Sequence, residues 1–360
     1  MQYARQARVF SRMQISEETG LSPSTVTHVV RRLIDEGHLA EAGTVKASGG
    51  RPQALLEFRP ESEVVAVVDV RRGRIDTVLA DWYGTSVARA DAELTADALV
   101  DIETCVSSLA RSAAVEIRAV CVAIPGVASE GGQVRLAPSV GIADGQPLGD
   151  QLRSRLRVPV VVDNDVNLMV VGEHVAGAAK DAADIALIHV GESGIGCGLM
   201  VDGKVRHGAS GVAGEIGFLP LGTPRPPREG VGSFEAQWSG DGIARAAAGL
   251  GVNASTAVEA LSALQSAGSD DPAVTALLAQ VVEAWAAAAV STICVLDPEL
   301  VLFSGIATRL SERLRDDLFA TVAAYIPGTN AMRMARLGED ALLEGAVRRA
   351  FDAYDAVTLA

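Results

Sequence analysis

The apolar positions near the N-terminus predict two helices joined by a sharp turn. The first helix is expected at Ser16 to Thr19, and Gly20-Leu21 then provides a turn that a β-branched residue would resist. Ser22 is suited to cap the second helix, with Pro23 at the first helical position, where its missing N–H costs nothing. One apolar face follows, made of Val26, Val29, Val30, Leu33 and Ile34.

The polar side of this second helix carries residue types that suit DNA. Short hydrogen-bonding side chains near its start can meet base edges, and cations further along can meet phosphate. The candidate DNA contacts are Ser22, Ser24, Thr25, Thr27, His28, Arg31 and Arg32. An ordinary helical hairpin with a polar exposed face is the alternative. The turn, the cap and the arginine pair occur together, which favours a DNA-binding helix-turn-helix.

The segment after this helix predicts a winged variant. Leu39 to Thr44 and Ala54 to Phe58 can pair as two short strands. The loop between them, residues 45–52, contains the cations Lys46 and Arg51 and could reach a phosphate or the minor groove. A plain linker between domains is the other interpretation of this loop.

Apolar runs alternating with helical patterns predict two α/β lobes after the head, at residues 61–180 and 181–360. We use "head" for residues 1–60. The expected strands are Val64 to Val70, Ile75 to Asp81, Ile117 to Ile124, Val158 to Asp163, Ile185 to Val190, Gly198 to Val201 and Leu300 to Phe303. The expected helices are Ala98 to Ser112, Asn167 to Ala178, Gly242 to Leu264 and Pro272 to Val295. Polar and glycine residues cluster where strands end, which is where such folds bind ligands.

Charge separates the head from the rest of the chain. The head carries eight Lys+Arg against six Asp+Glu, a net charge of +2, so the total of −14 leaves −16 for the remainder. An acidic body repels DNA, which confines DNA contact to the head.

Cysteine usage and hydropathy predict a cytoplasmic protein. The four cysteines (Cys105, Cys121, Cys197 and Cys294) form no CxxC pair, and we expect them to be small buried residues in a reducing compartment. No signal peptide and no run of about eighteen apolar residues is evident, so membrane insertion is not expected.

Three segments of the body resemble the ROK family of repressors, open reading frames and sugar kinases. These are the run Ile188 to Gly217, which ends in Gly-Glu-Ile-Gly, the segment Val160 to Glu173 and the strand end Val122 to Gly126. With the winged head, the resemblance covers most of the chain. It implies an α/β fold with an N-terminal winged helix-turn-helix and a two-lobed actin-like ATPase body, the domain order of the family's xylose and N-acetylglucosamine regulators.

The resemblance also shows that the nucleotide motifs are degraded. The family's first phosphate loop is Asp-x-Gly-Gly-Thr, whereas here Asp69 is followed by Arg71, Arg72, Gly73 and Arg74. The turn from Gly191 to Gly198 is better kept, but the glycines after the last strand are reduced to Ser304-Gly305-Ile306-Ala307. Phosphoryl transfer needs backbone and hydroxyl groups around the phosphates. We therefore expect no enzymatic activity and no cofactor.

The sugar pocket implied by the resemblance is better preserved. Asn164 and Asp165 would hydrogen-bond sugar hydroxyls, with Asp165 at the position of the kinase base, and Glu215 and Glu235 match sugar-binding carboxylates. Phe218 stands where the family has a histidine, so it could stack on a sugar face or exclude sugar.

The family's structural zinc site is not expected here. Aligning its final glutamate on Glu235 places the three cysteine positions at Pro226, Arg228 and Ser233 and the histidine position at Phe218. None of these side chains is a normal zinc ligand.

These features predict a DNA-binding transcriptional regulator, a repressor, whose body senses a sugar or sugar-derived ligand. The expected partners are an inverted-repeat operator in double-stranded DNA, a sugar-like effector, and further copies in a homodimer or homotetramer. Two alternatives stay open: a bifunctional sugar kinase with a DNA-binding head, and a regulator whose body is only a dimerisation scaffold.

Overall fold

The head combines three helices with a three-stranded sheet, in a computed structural model that describes residues 1–45, 53–129, 131–220, 231–267, 271–326, 328 and 331–358. The sheet has the order β1-β3-β2, and both neighbouring pairs are antiparallel. Its elements are α1 Gln2–Ala7, β1 Val9–Ser11, α2 Arg12–Thr19, α3 Pro23–Asp35, β2 Leu39–Val45 and β3 Gln53–Phe58. The pairing of β2 with β3 is the one expected for a wing.

Capping residues fix where α2 and α3 begin. The Ser11 hydroxyl accepts a hydrogen bond from the Gln14 N–H (3.2 Å), and the Gln14 side chain accepts one from the Ser11 N–H (2.8 Å). This capping box starts α2 at Arg12, four residues before the expected Ser16. Gly20 adopts φ 68°, and the Ser22 hydroxyl then accepts the Thr25 N–H at 3.2 Å.

The first lobe is built on a five-stranded sheet of order β10-β7-β4-β5-β6. Strands β10, β7 and β4 run parallel, so their carboxyl ends meet at one edge. Strand β6 was not expected, because its side chains are mostly exposed and polar. The elements are β4 Val64–Arg71, β5 Arg74–Asp81, β6 Ser86–Glu93, α4 Ala98–Ala113, β7 Ile117–Ile124, β8 Val127–Ala128, β9 Val134–Arg135, α5 Leu148–Leu156, β10 Val160–Asn164 and α6 Asp165–Val175.

The second lobe has a five-stranded sheet of order β13-β12-β11-β14-β15. Strands β11 and β14 are parallel, which brings the turn after Val190 beside Gly305. The single helix expected at Gly242 to Leu264 is two helices, α8 and α9. The elements are β11 Ile185–Val190, β12 Ile195–Val201, β13 Lys204–Val205, α7 Ser233–Trp238, α8 Gly240–Gly249, α9 Ala257–Ala267, α10 Pro272–Leu296, β14 Leu300–Gly305, α11 Glu312–Tyr325, β15 Ala331–Met334 and α12 Asp340–Thr358.

The last helix, α12, packs on the first lobe although it follows the second in sequence. Its buried side chains Leu342, Ala346, Val347, Ala350 and Phe351 share one apolar core with Val65 and Val67 of β4 and with Ala119 and Cys121 of β7. Residues 181–360 therefore do not pack as one body.

Helix α10 is long and apolar enough, by length and composition, to cross a membrane, with a mean hydropathy of 1.7 over an 18-residue window. Half of that window is buried, and Val281, Trp285 and Ala289 lie in the core of the second lobe. These contacts make α10 a core helix. The expectation that all four cysteines are buried is wrong, because Cys294 near the end of α10 is exposed and Cys105 is half-buried.

Candidate functional site

Helix α3 buries one side and exposes the side predicted to meet DNA. Val26 and Val30 are each 1% exposed in the core of the head, whereas Val29 is 40% exposed and so lies outside the apolar face expected for it. All seven candidate contact residues at its cap and along it are exposed: Ser22, Ser24, Thr25, Thr27, His28, Arg31 and Arg32. The structure thus brings them to one solvent-facing surface, as a recognition helix requires.

Some of these polar groups already have partners within the helix. The Thr27 hydroxyl donates to the Pro23 carbonyl (2.8 Å), and the Arg32 Nε donates to Glu36 (2.8 Å). Arg31 is exposed and makes no ion pair among the described residues. Lys46 and Arg51 lie outside the described residues, so their predicted role in the wing stays a prediction.

Three carboxyl groups converge at the carboxyl edge of the first sheet. Burial, next the charge of Asp69, and to a smaller extent the charge of Glu215 together raise the pKa of Asp165 to about 7. The Val166 N–H, which donates to Asp165 Oδ1 at 2.8 Å, and the guanidinium of Arg71 oppose this rise. Asp69 lies near the end of β4 and Asp165 begins α6, while Glu215 comes from the second lobe. The charge of Glu215 acts on Asp165 across the lobes, which is consistent with the expected juxtaposition, and the role of both residues in binding a ligand stays a prediction.

Asn164 uses its side chain to begin α6. Its amide oxygen accepts the N–H groups of Val166 (2.8 Å) and Asn167 (3.2 Å), and its amide nitrogen donates to the Gly126 carbonyl at 2.9 Å. Asn164 thereby fixes the end of β10 against the strand end at Gly126 and holds Asp165 at the first turn of α6. Its oxygen is already engaged, so any direct contact with a ligand falls to its nitrogen.

Glu215 and Glu235 lie close together in the second lobe. Burial, and next the charge of Glu235, raise the pKa of Glu215. Burial also raises the pKa of Glu235, opposed by hydrogen bonds from the backbone N–H of Gly232 (2.6 Å) and Ile195 (3.4 Å). Phe218 is half-buried in the short 3-10 turn Ile216–Phe218 that follows Glu215.

The turn from β4 to β5 holds an ion pair where the family's phosphate loop would be. Arg71 donates from Nε to Asp69 Oδ2 (2.7 Å), and its Nη2 lies 2.7 Å from the same oxygen. Burial raises the pKa of Asp69, and this contact with Arg71 opposes the rise. A tight turn through Gly73, at φ 73°, completes the hairpin. An anion at this turn would therefore meet the Arg71 guanidinium instead of backbone amides.

The second phosphate turn is closed by contacts with α8. The N–H of Gly240 donates to the Gly191 carbonyl (3.0 Å), and the Ser193 hydroxyl donates to Asp241 (2.8 Å). Glu192 is exposed at the tip of the turn and adds a negative charge there. Ile306 is 5% exposed, and its Cδ1 lies so near Gly240 that a Cβ there would collide with it.

A contact between the two lobes, from His207 to Asp163, was not expected from the sequence. Nε2 of His207 lies 3.0 Å from both carboxylate oxygens of Asp163, which is 1% exposed at the end of β10. Asp163 also accepts from Asn167 Nδ2 (3.1 Å), and Arg349 Nη2 lies 3.7 Å from Oδ2. His207 follows β13 of the second lobe, and Arg349 belongs to α12. The only sequence signal was the acid at the strand end, because both partners are remote in sequence.

The residues aligned with the family's zinc ligands are only partly described. Phe218 and Ser233 lie in the 3-10 turn and at the start of α7, while Pro226 and Arg228 fall outside the described residues. Within the part of the chain that the structure describes, no group of three His, Cys, Asp or Glu side chains could hold a metal ion. The absence of zinc stays a prediction.

The known proteins that this chain resembles include both repressors and kinases. The ROK family signature matches residues 66–351. The xylose repressor of Bacillus subtilis (strain 168) is 29% identical over 219 residues, which cover 59% of this chain and 56% of that protein. The DNA-binding transcriptional dual regulator NagC of Escherichia coli (strain K12) is 29% identical over 226 residues, covering 59% and 54%. The aligned region thus spans about half the length of these relatives.

Solved structures share the fold. The crystal structure of a ROK family transcriptional regulator, a homologue of the E. coli MLC protein, superposes with a TM-score of 0.77 at 22% identity, covering 97% of this chain and 93% of that one. The ROK hexokinase from Thermus thermophilus superposes with a TM-score of 0.68 at 24% identity, covering 82% and 100%. At these identities the likeness shows the fold alone.

Proposed function

Since this chain belongs to the ROK family, we propose that it is a DNA-binding transcriptional repressor whose body senses a sugar-like ligand without phosphorylating it. The observation that carries the proposal is the exposed polar side of α3, which is backed by a buried apolar side in a compact winged head. The names of the relatives, a xylose repressor and the regulator NagC, support the same function.

The junction between the lobes supports a polyol as the ligand. Asp165 from the first lobe and Glu215 and Glu235 from the second provide carboxyl groups that accept hydrogen bonds from hydroxyls in fixed directions. Phe218, half-buried next to Glu215, adds an apolar ring that suits the face of a sugar. A sugar or sugar derivative that touches both lobes would favour their closed arrangement.

The two turns that match the family's phosphate loops support a protein that binds a sugar-like ligand without phosphorylating it. Asp69 is neutralised by Arg71 at 2.7 Å, and Glu192 places negative charge at the tip of the second turn. At the first turn a charged side chain thereby replaces backbone amides that could cradle a phosphate, and at the second turn the charge of Glu192 repels one, so we propose that the protein is not an enzyme and needs no cofactor.

The proposed setting is a cytoplasmic homodimer or homotetramer on an inverted-repeat operator. Dimeric winged helix-turn-helix proteins place two recognition helices in major grooves about one helical turn apart, so the operator mirrors their two-fold symmetry. The acidic body keeps DNA contact to the heads.

Selection of bound sequences from random duplex DNA by the full-length protein tests the proposal. We expect enrichment of an inverted repeat, which the variant Arg31→Ala/Arg32→Ala should fail to enrich while keeping the wild-type unfolding temperature. A thermal-shift screen against a sugar panel tests the body, since a ligand that binds only the native state raises its stability. Failure of the wild-type protein to enrich any sequence would contradict the DNA-binding assignment.

A further inference from the structure

Helices α6 and α12 are in direct backbone contact. A Cβ at Gly172 of α6 would collide with the Ala341 carbonyl, and a Cβ at Gly345 of α12 would collide with the Leu168 carbonyl. Side chains therefore do not separate the two helices at these points. Closely packed elements transmit displacement because the interior is dense and hardly compressible. A shift of α6 must move α12.

One end of this helix pair lies at the junction of the lobes. Asp165, at the start of α6, belongs to the carboxyl cluster described above. Arg349 of α12 lies 3.7 Å from Asp163, which contacts His207 at 3.0 Å. The position of α12 is therefore tied both to the candidate ligand site and to a residue that follows the second lobe's β13.

The C-terminal part of α12 holds the DNA-binding head. Asp355 accepts two hydrogen bonds of 2.8 Å from Nη1 of Arg5 in α1. The Arg5 guanidinium also pairs with Glu63 at 2.8 Å and lies 4.0 Å from the ring centre of Trp82. Trp82 in turn packs on Phe351 of α12, with ring centres 4.5 Å apart. Arg5 is 5% exposed, so one guanidinium joins the head, the first lobe and α12.

Further contacts make the joint rigid. The Tyr83 hydroxyl donates to the Arg5 carbonyl (3.2 Å), and the Tyr83 and Phe58 rings pack in a T-shaped arrangement, with centres 6.0 Å apart. Helix α1 is itself part of the head's core through Ala4, and Tyr3 packs on Phe10. Moving Asp355 therefore displaces α1 together with the recognition helix.

We propose that α12 carries the state of the lobes to the DNA-binding head and that Arg5 is the positioning residue through which it acts. This inference rests on the proposed function. Residues 349 and 355 are separated by about 9 Å along the helix axis, at 1.5 Å per residue. Interlobe contact and head contact thus lie on one rigid element, which satisfies the requirement for a physical connection between two sites.

Hydrogen exchange on the full-length protein tests this coupling without DNA or ligand. Asp355→Asn should speed exchange in Gln2–Ala7 by about tenfold or more, because it weakens a charge-assisted, nearly buried contact. His207→Gln, which alters the interlobe contact beside Arg349 of α12, should speed exchange in the same segment. Asp355→Glu should restore protection. The proposal would be overturned if hydrogen exchange in α1 were as slow in His207→Gln as in wild type.

Two control variants separate coupling from general loosening. Asp352→Asn removes an exposed pair with Arg348 (3.0 Å) on α12, and Gln265→Ala removes two hydrogen bonds within the second lobe. Neither residue has a hydrogen bond or ion pair with the described part of the head, and both variants should leave α1 as protected as in wild type. Faster exchange in α1 of Gln265→Ala, to the extent seen in His207→Gln, would also overturn the proposal.

Operator affinity provides the functional arm. On DNA selected by the wild-type protein, the fold-changes of His207→Gln and Asp355→Asn should not multiply in the double variant, because both act through one element. Multiplicative fold-changes would contradict the coupling. Absence of DNA binding by wild type would instead contradict the proposed function, and the exchange experiment would still decide the coupling.

Discussion

The Arg71 guanidinium lies 2.7 Å from the carboxylate of Asp69, inside the turn where the kinases of this family have their first phosphate loop. Asp69 is 13% exposed and Arg71 is 60% exposed, so the arginine covers the acid from the solvent side. Any anion entering this turn must compete with Asp69 for the guanidinium, and it meets the nearby carboxyl group of Asp165.

We expect millimolar Mg-ATP to leave the unfolding temperature unchanged. Binding to the native state would raise the stability by mass action, and the occupied guanidinium at Arg71 opposes such binding. Differential scanning calorimetry with and without nucleotide measures the effect, and a coupled assay for sugar phosphorylation should show no turnover. A nucleotide-dependent rise in the unfolding temperature would mean that the second turn, Gly191 to Gly198, still holds phosphate.

Asp165→Asn should change how stability depends on pH. Because burial and Asp69 raise the pKa of Asp165 to about 7, the folded protein keeps a proton that the unfolded chain releases at its ordinary value of 3.8. The resulting stabilisation is fully present below about pH 4 and is lost as the pH rises through about 7. Asn cannot ionise, so the free energy of unfolding of the variant should rise relative to that of wild type by roughly 1–4 kcal/mol between about pH 4 and pH 7.

Chemical denaturation across this pH range measures the difference, and Asp150→Asn is the control. The Asp150 side chain is 67% exposed, so its replacement tests whether an amide alone changes the profile. A constant difference between Asp165→Asn and wild type would show that Asp165 titrates as an exposed carboxyl. The same variant should lose the response to any sugar that the thermal-shift screen identifies.

Gly345→Ala should destabilise the protein by about 3 kcal/mol or more, because the new methyl group would collide with the Leu168 carbonyl and force α12 away from α6. Gly249→Ala is a matched helical control, since nothing lies within 4 Å of a Cβ at that position. The control should be neutral or gain up to about 1 kcal/mol through helix propensity. If urea denaturation gave the same change in stability for Gly345→Ala and Gly249→Ala, the close packing of α6 and α12 would not be needed for stability.

The sequence predicted local structure well where a physical signal is local. Ser22 and Pro23 place the start of α3 correctly, and the apolar run Ile117 to Ile124 coincides with β7. The edge strand Ser86–Glu93 gave no such signal, since its side chains face mostly solvent. No sequence pattern predicts the packing of α12 on the first lobe either.

The candidate site was predictable only through family resemblance. Asp165 and Glu215 were expected to face each other, and the effect of the Glu215 charge on the pKa of Asp165 is consistent with that placement. The pairs Arg5–Asp355 and His207–Asp163 were missed, because no sequence pattern joins residues 350 or 44 positions apart. Only the folded chain brings these charges together.

Elemental analysis should find far less than one zinc per chain. Phe218 and Ser233 occupy two of the aligned ligand positions, and neither side chain provides a normal zinc donor. Addition of a chelator should leave the unfolding temperature unchanged, in contrast to proteins whose folding depends on structural zinc. Stoichiometric zinc that survives dialysis would show that the alignment on Glu235 is wrong.

The two arginines of α3 should contribute unequally to DNA binding. Arg32 is held by Glu36 at 2.8 Å and must give up this contact to reach a phosphate, whereas Arg31 makes no ion pair within the described part of the chain. Arg31→Ala should therefore weaken binding more than Arg32→Ala. Each should act on all sequences alike and lower the salt slope by about one if it removes one phosphate contact.

Thr25→Ala should instead relax base preference, because Thr25 lies in the first turn of α3, where side chains reach base edges. Competition between the selected inverted repeat and scrambled DNA, titrated over a range of salt concentrations, separates the two effects. Arg313→Ala, an 85% exposed arginine of the acidic body, serves as control and should change neither affinity nor slope. If Arg313→Ala weakened binding as much as Arg31→Ala, DNA would contact the body, and the confinement of binding to the head would be refuted.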